Sequence, residues 1–234
     1  AVKGNWDRAL NQLEVAGDMD AAALPMRSMY REAVQCERFR QEVFAGRKSP
    51  VIFGEPPSWI SHLIESNRRV GEGKFAAATK LRDTAFEHAE TTAGTLDGEP
   101  FEWLADADPR LGPMLEGIIN GRYYWIPFTA IQSVDIEEPE DLRDLVWAPV
   151  HFTWTNGGEV VGLIPTRYPG SAQHDDDLIK LSRKTDWTEC EDGTVLGLGQ
   201  RMLVTDAGEY ALLDIRRIEL QNEPVDAATD EGHG

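Results

Sequence analysis

Carboxylates, guanidinium groups and aromatic rings crowd a few short stretches of this 234-residue chain. Asp106 and Asp108 stand two apart, just ahead of Arg110, and Asp141 and Asp144 flank Arg143. Paired carboxylates can serve as general acid and base, provided at least one pair converges and its pKa values are shifted apart. They can also start a divalent-cation site, but such cations need about six oxygen ligands or more, which Asp106-x-Asp108 does not supply. Asp106 to Pro109 reads more simply as a turn or helix cap. His174-Asp175-Asp176-Asp177 lies beside Gly and Ser and has the look of a solvated loop. Gly197-x-Gly199 lacks the third glycine of a dinucleotide fingerprint, and Leu196, Leu198 and Met202 make that stretch a strand.

Nucleophilic chemistry finds little support. Cys36 and Cys190 are far apart, the five histidines (His62, His88, His151, His174, His233) show no metal-binding spacing, and no G-x-S-x-G elbow occurs. His151, between Val150 and Phe152, reads as a structural histidine in a strand. The expectation is therefore a non-enzyme without cofactor or metal, with a hydrolase built on Asp106, Asp108, Asp141 and Asp144 as the alternative. Arg, Asp and aromatic residues are also the material of binding hot spots. Arg110, Arg143, Trp147, Arg167 and Tyr168 belong either to an internal ion-pair network or to a partner-facing patch.

The elements that would carry these residues fall into two halves. Up to about Gly94 the apolar spacing is helical: Trp6, Ala9, Leu10, Leu13 and Ala16 line one face of a first helix. A second runs from about Leu24 to Phe44, with Met26, Tyr30, Val34 and Phe39 inward and Gly46 as its stop. A third follows from Trp59 to about Val70 with Ser58 as cap, and a fourth carries Phe75, Ala78, Leu81, Ala85, Phe86 and Ala89. Gly4, Trp6, Ala9 and Ala16 recur as Gly73, Phe75, Ala78 and Ala85, an offset of 69 residues, about twice the ~34-residue period of tetratricopeptide-like helix pairs. On that reading the chain begins at the second helix of a pair.

From Thr95 the pattern becomes β-like, with strands at Arg122 to Phe128, Val146 to Thr155 and Val160 to Pro165. Asn156-Gly157-Gly158 marks a hairpin. Short helices are expected at Met114 to Asn120 and Asp176 to Lys184, and further strands at Val195 to Thr205 and Tyr210 to Ile215. The predicted fold class is thus α+β: a tetratricopeptide-like helical array (residues 1–94), a mixed, mainly antiparallel α+β domain (95–220), and a loose polar tail (221–234).

Composition bounds the rest. With 23 basic and 41 acidic side chains the formal charge is −18, which argues against a nucleic-acid partner. No apolar run approaches the ~18 residues of a membrane span, and the first residues do not resemble a secretory signal. The two cysteines read as free thiols of a cytosolic protein.

Four segments carry a family likeness: FEWLADADPRLGP (Phe101 to Pro113), NGRYYWIP (Asn120 to Pro127), PEDLRDLVW (Pro139 to Trp147) and PTRYPG (Pro165 to Gly170). With Cys36-Glu37-Arg38, Val43 to Gly46 and Phe53-Gly54-Glu55-Pro56 they resemble the ImpE/TagJ (SciE-type) family over nearly the whole chain. Against the family pattern, the first helix is missing and the tail after Leu220 has no counterpart.

The resemblance implies a cytoplasmic, non-enzymatic accessory protein of a bacterial type VI secretion system. It would bind an N-terminal helix of the small contractile-sheath subunit, the ClpV unfoldase, or both. A helical half would offer such a helix a groove, and an acidic surface would favour basic segments. The expected binding residues are Trp59 and Phe75 as groove or core, and Arg110, Tyr124, Arg143, Trp147, Arg167 and Tyr168 as a motif patch. A homodimer built on the aromatic strands is a further architectural alternative.

Overall fold

The computed structural model describes residues 1–19 and 24–222. Four helices come first: α1 (Trp6–Met19), α2 (Leu24–Phe44), α3 (Ile60–Gly71) and α4 (Phe75–His88). α1 packs on α2 and α3 on α4. Gly46 ends α2 with φ +72°, as its place after the last apolar residue predicts. Ser58 does not cap α3 through its side chain; Trp59 occupies the cap position, and the Ser58 carbonyl instead accepts the Ser61 hydroxyl (2.9 Å).

A nine-stranded sheet follows, in the order β1-β6-β5-β9-β8-β7-β14-β2-β3. Its strands are β1 (Val51–Ile52), β2 (Gly94–Leu96), β3 (Glu99–Phe101), β5 (Met114–Ile119), β6 (Arg122–Pro127), β7 (Ile131–Ile136), β8 (Trp147–Trp154), β9 (Glu159–Pro165) and β14 (Arg217–Leu220). Every pairing is antiparallel except β1 with β6. Two small sheets complete the fold. One pairs β10 (Thr185–Glu189) with β11 (Val195–Gly199); the other orders β13 (Glu209–Ala211), β12 (Met202–Thr205) and β4 (Leu104–Asp106). The α+β class and the helix-then-strand order are as expected, and the Asn156-Gly157-Gly158 hairpin joins β8 to β9 with Gly157 at φ +78°.

Several expectations fail for physical reasons. Met114 to Asn120 is a strand, not a helix: all six residues of β5 are buried, with Leu115 and Ile119 in one apolar cluster and Met114 and Ile118 in the other, so apolar side chains occupy both faces. A short continuous apolar run does not reveal its period. The run Val195 to Thr205 breaks at Gly199 (φ +83°), sending β11 and β12 into different sheets. Asp176 to Lys184 shortens to one turn, α5 (Asp177–Lys180), with Asp176 Oδ1 capping the Leu178 N–H (2.8 Å). Tyr210 to Ile215 is strand only to Ala211 and then a 3-10 turn.

The tetratricopeptide-like array is not established by this arrangement. Trp6 is buried against Trp147, whereas Phe75, its counterpart at the 69-residue offset, is half-buried and belongs to neither core cluster. The helices lie on the large sheet. Tyr30, Val34, Phe44, Trp59 and Leu63 share one apolar cluster with Met114, Tyr123, Trp125, Trp147 and Leu163. The second cluster joins Leu115, Ile126, Val134 and Phe152 to Leu104, Leu203 and Leu212 around the three-stranded sheet. Strand alternation divides the sheet between them, as in β6, where Tyr123 and Trp125 face the helices and Tyr124 and Ile126 the other cluster. At the end of the described chain, the Gln221 N–H bonds the Ala93 carbonyl (2.8 Å) and Asn222 Nδ2 the Phe128 carbonyl (2.9 Å); the expected loose tail otherwise lies outside the described residues. No described helix is long and apolar enough to cross a membrane.

Candidate functional site

Where α2 crosses the sheet, four strongly charged side chains are buried together. Glu116 stands on β5 at 0% exposure and receives Arg40 of α2 in a fork: Nε to Oε1 at 2.5 Å and Nη2 to Oε2 at 2.8 Å. Arg201, also fully buried, joins Glu116 on one side and Asp106 of β4 on the other. Its Nε donates to the Pro165 carbonyl (3.1 Å). The Tyr123 hydroxyl donates to Glu116 and in turn accepts the Trp125 indole N–H (2.7 Å). Tyr168 presents its hydroxyl to Asp106 Oδ1 (3.0 Å) and the Met202 carbonyl (3.1 Å), and accepts the Met202 N–H (2.9 Å).

The charges set each other's titration. Burial opposes the Glu116 carboxylate, but Arg40 and Arg201 outweigh it and hold its pKa at about 2. At Asp106 burial prevails over Arg201, and the neighbouring Asp108 adds to it, so its pKa rises to about 6. Tyr123 is raised, first by burial and then by Glu116, which keeps its proton available for donation.

This network consumes most of the acidic motifs. Asp108 accepts Arg110 Nε (2.9 Å), the Arg110 N–H (2.9 Å) and the Gly197 N–H (2.8 Å). Asp141 is paired to Arg143, and Asp144 accepts the Glu140 and Asp141 N–H groups at 3.0 Å each. Each of the four carboxylates of the hydrolase alternative is thus tied to its own cation or backbone donors. Among the described residues no three His, Cys, Asp or Glu side chains are grouped to hold a metal. Asp176 and Asp177 pair with Lys184 and Lys180, as a solvated loop would.

An open groove of about 710 Å³ lies between α1, α2 and the loop before β8. Ala9 and Leu13 of α1 are the half-buried apolar side chains of its lining, over a floor of Tyr30, Val34 and Trp147 that is itself buried. Trp147 is held by stacking against Trp6 (6.1 Å) and Tyr30 (5.7 Å) and by its indole N–H on Glu37 (3.2 Å). The Arg143 guanidinium lies over the Tyr30 ring at 5.0 Å. Lys3, Arg8 and Arg143 are the charged side chains of the lining, so the rim is positive on a chain whose charge is −18. A second cleft of about 650 Å³ opens beside the same loop, with Glu138, Glu140, Asp141, Asp214, Arg183 and Arg216 among its lining and Leu142 63% exposed.

The predicted binding residues therefore separate. Arg143 and Trp147 meet in the groove. Arg167 and Tyr168 are buried around the network, and Arg110, half-buried, is paired to Asp108 and lies over the Phe44 ring at 5.3 Å. Tyr124 packs edge-on against Phe53 (5.8 Å) with the other cluster. Trp59 is a core residue, 6% exposed, and neither it nor Phe75 lines the groove. Sequence reasoning missed Arg40, Glu116 and Arg201. The signal was present: Glu116 interrupts the apolar run Met114 to Ile119, and a lone charge in such a run is buried with a partner.

Comparison with known proteins agrees with this architecture. Residues 98–219 match the family described as ImpE protein. The chain is 51% identical over 227 residues to the type VI secretion system accessory component TagJ of Pseudomonas aeruginosa, covering 97% of this chain and 79% of that protein. The crystal structure of protein VPA1032 from Vibrio parahaemolyticus has the same fold, with a TM-score of 0.84 at 24% identity over 95% of this chain and 83% of that one. The chain belongs to the ImpE family and is a homologue of a type VI secretion accessory component.

Proposed function

We propose that this protein is a non-enzymatic, cytoplasmic adaptor of a type VI secretion system. It holds an N-terminal helix of the small contractile-sheath subunit, works alongside the ClpV unfoldase, and so adjusts sheath assembly and recycling. The observation that carries this reading is the groove: an open apolar trough between two helices, bordered by Arg143 and Trp147 of the family segment PEDLRDLVW. An amphipathic helix buries its apolar face in such a trough at spacings of i, i+3, i+4 and i+7. The containment of Asp106, Asp108, Asp141 and Asp144 by cations and backbone donors supports holding over hydrolysis.

The positive rim modifies one expectation. Attraction of basic segments by the net charge must act elsewhere on the molecule, and docking in the groove rests on apolar burial. A pull-down with an immobilised peptide of the sheath subunit's N-terminal helix tests the reading. Retention of the protein at micromolar concentration is expected; no retention at high micromolar protein contradicts it. Light scattering on the same sample separates this reading from the homo-oligomeric alternative, which predicts self-association without peptide.

A further inference from the structure

Among the buried guanidinium groups one lacks a carboxylate. Arg40 has Glu116 and Glu37, Arg110 has Asp108, and Arg201 has Asp106 and Glu116. Arg167, 5% exposed, forms no ion pair among the described residues; its Nη1 donates to the carbonyls of Val2 (2.8 Å) and Lys180 (2.6 Å). Carbonyl oxygens solvate a cation without neutralising it. Burial accordingly pushes the Arg167 pKa down to about 10, with Glu37 opposing the shift only in part.

Beside Arg167 is a small cavity of about 20 Å³, lined also by Trp6, Glu37, Arg40, Gln41 and Gln173. That volume admits one water-sized particle. The Trp6 indole N–H is buried with no acceptor among the described residues, although buried donors are nearly always paired. Of the two guanidinium groups in the lining, Arg40 is already forked onto Glu116, which leaves Arg167 facing Glu37 as the one carboxylate of the lining. That carboxylate, Glu37, is engaged by Trp147 Nε1 (3.2 Å) and Arg40 Nη1 (3.5 Å).

We propose that this cavity binds one monatomic anion of chloride's size, held by Arg167 and the Trp6 N–H, which ties the start of α1 to α2 and to the PTRYPG segment. The small volume suits a monatomic ion better than phosphate, sulfate or a partner's carboxylate. A cation is disfavoured because the groups left, among the described residues, without a charged partner or an acceptor, the Arg167 guanidinium and the Trp6 N–H respectively, are donors. A water molecule would accept from Trp6 but leave Arg167 with only the partial opposition of Glu37.

The test is thermal unfolding of the intact protein at pH 7.5 and fixed ionic strength, with sodium gluconate replaced stepwise by sodium chloride or bromide. The proposal predicts a Tm that rises with halide and saturates, by about 3–6 °C in all. Arg167→Gln should abolish that rise. Because this variant can fail to fold, Trp6→Phe supplies the second readout, keeping the ring while removing the donor and weakening the halide dependence. A crystal grown in bromide should show an anomalous peak in the cavity. Identical melting curves in gluconate and halide, or water in the bromide crystal, would overturn the proposal. A bromide peak without halide-dependent melting would mean an adventitious ion only, and would overturn it equally.

Discussion

Glu116, fully buried, accepts two guanidinium groups and a phenol. Breaking such an arrangement leaves an uncompensated buried charge, which costs about 3–5 kcal/mol. We therefore expect Arg201→Met to lower the unfolding free energy by about that amount, read from the urea midpoint; an unchanged midpoint would show the pair to be dispensable. Asp106 gives a pH signature. Its folded pKa of about 6 exceeds the ordinary value of 3.8, so the folded state takes up the proton first. Its stabilising contribution is complete below pH 3.8 and is lost as pH rises through 6. Glu116, held near 2 against 4.5, acts oppositely: its contribution is present above pH 4.5 and is lost as pH falls toward 2. The stability difference between the protein and Asp106→Asn, measured by urea unfolding from pH 4.5 to 7.5, should fall with rising pH; a flat difference would contradict the assigned shift. Asp106, Asp108 and Arg110 were legible in sequence as charged groups of one motif. Asp108 pairs with Arg110 inside that motif, but the partner of Asp106 was not legible, because Arg201 reaches it across 95 residues of chain.

The helices were legible because each shows its period over twelve or more residues. The central strand β5 was not, because burial on both faces erased its alternation. The strand β7 (Ile131–Ile136) also escaped notice, although Ile131, Ser133, Val134 and Ile136 are buried. Joints between elements depend on contacts that spacing alone does not show. Gly46 passes close to α3: a Cβ there would stand 2.8 Å from the Arg68 carbonyl oxygen. A Cβ on Gly71, at the end of α3, would stand 2.4 Å from the Ala45 carbonyl oxygen. Asn67 adds its own tie, donating Nδ2 to the Val43 carbonyl (2.8 Å). Gly46→Ala combines a left-handed backbone with that overlap, so a loss of about 2 kcal/mol or more is expected. Equilibrium unfolding by circular dichroism checks this, and a cost below about 0.5 kcal/mol would mean that the joint yields freely.

At the scale of the molecule, the helices and the sheet share one core cluster, and that sharing creates the groove: α1 supplies its half-buried apolar side chains, and α2 with the sheet-entry residue Trp147 its floor. Trp59, expected as a groove or core residue, lies in the core, and neither it nor Phe75 lines this groove. Because the rim cations Lys3, Arg8 and Arg143 oppose the net charge of −18, affinity in the groove should vary little between low and high salt, unlike that of an ionic dock. The most direct test is fluorescence anisotropy of a labelled peptide from the N-terminal helix of the small sheath subunit, titrated with the protein, with Ala9→Arg, and with Val161→Glu. Ala9 lines the groove, and Val161, 72% exposed on β9, lies outside its lining. Saturable micromolar binding that Ala9→Arg weakens at least tenfold and Val161→Glu leaves unchanged is the predicted result. Absence of binding to the unsubstituted protein, or equal binding to all three, would contradict the account.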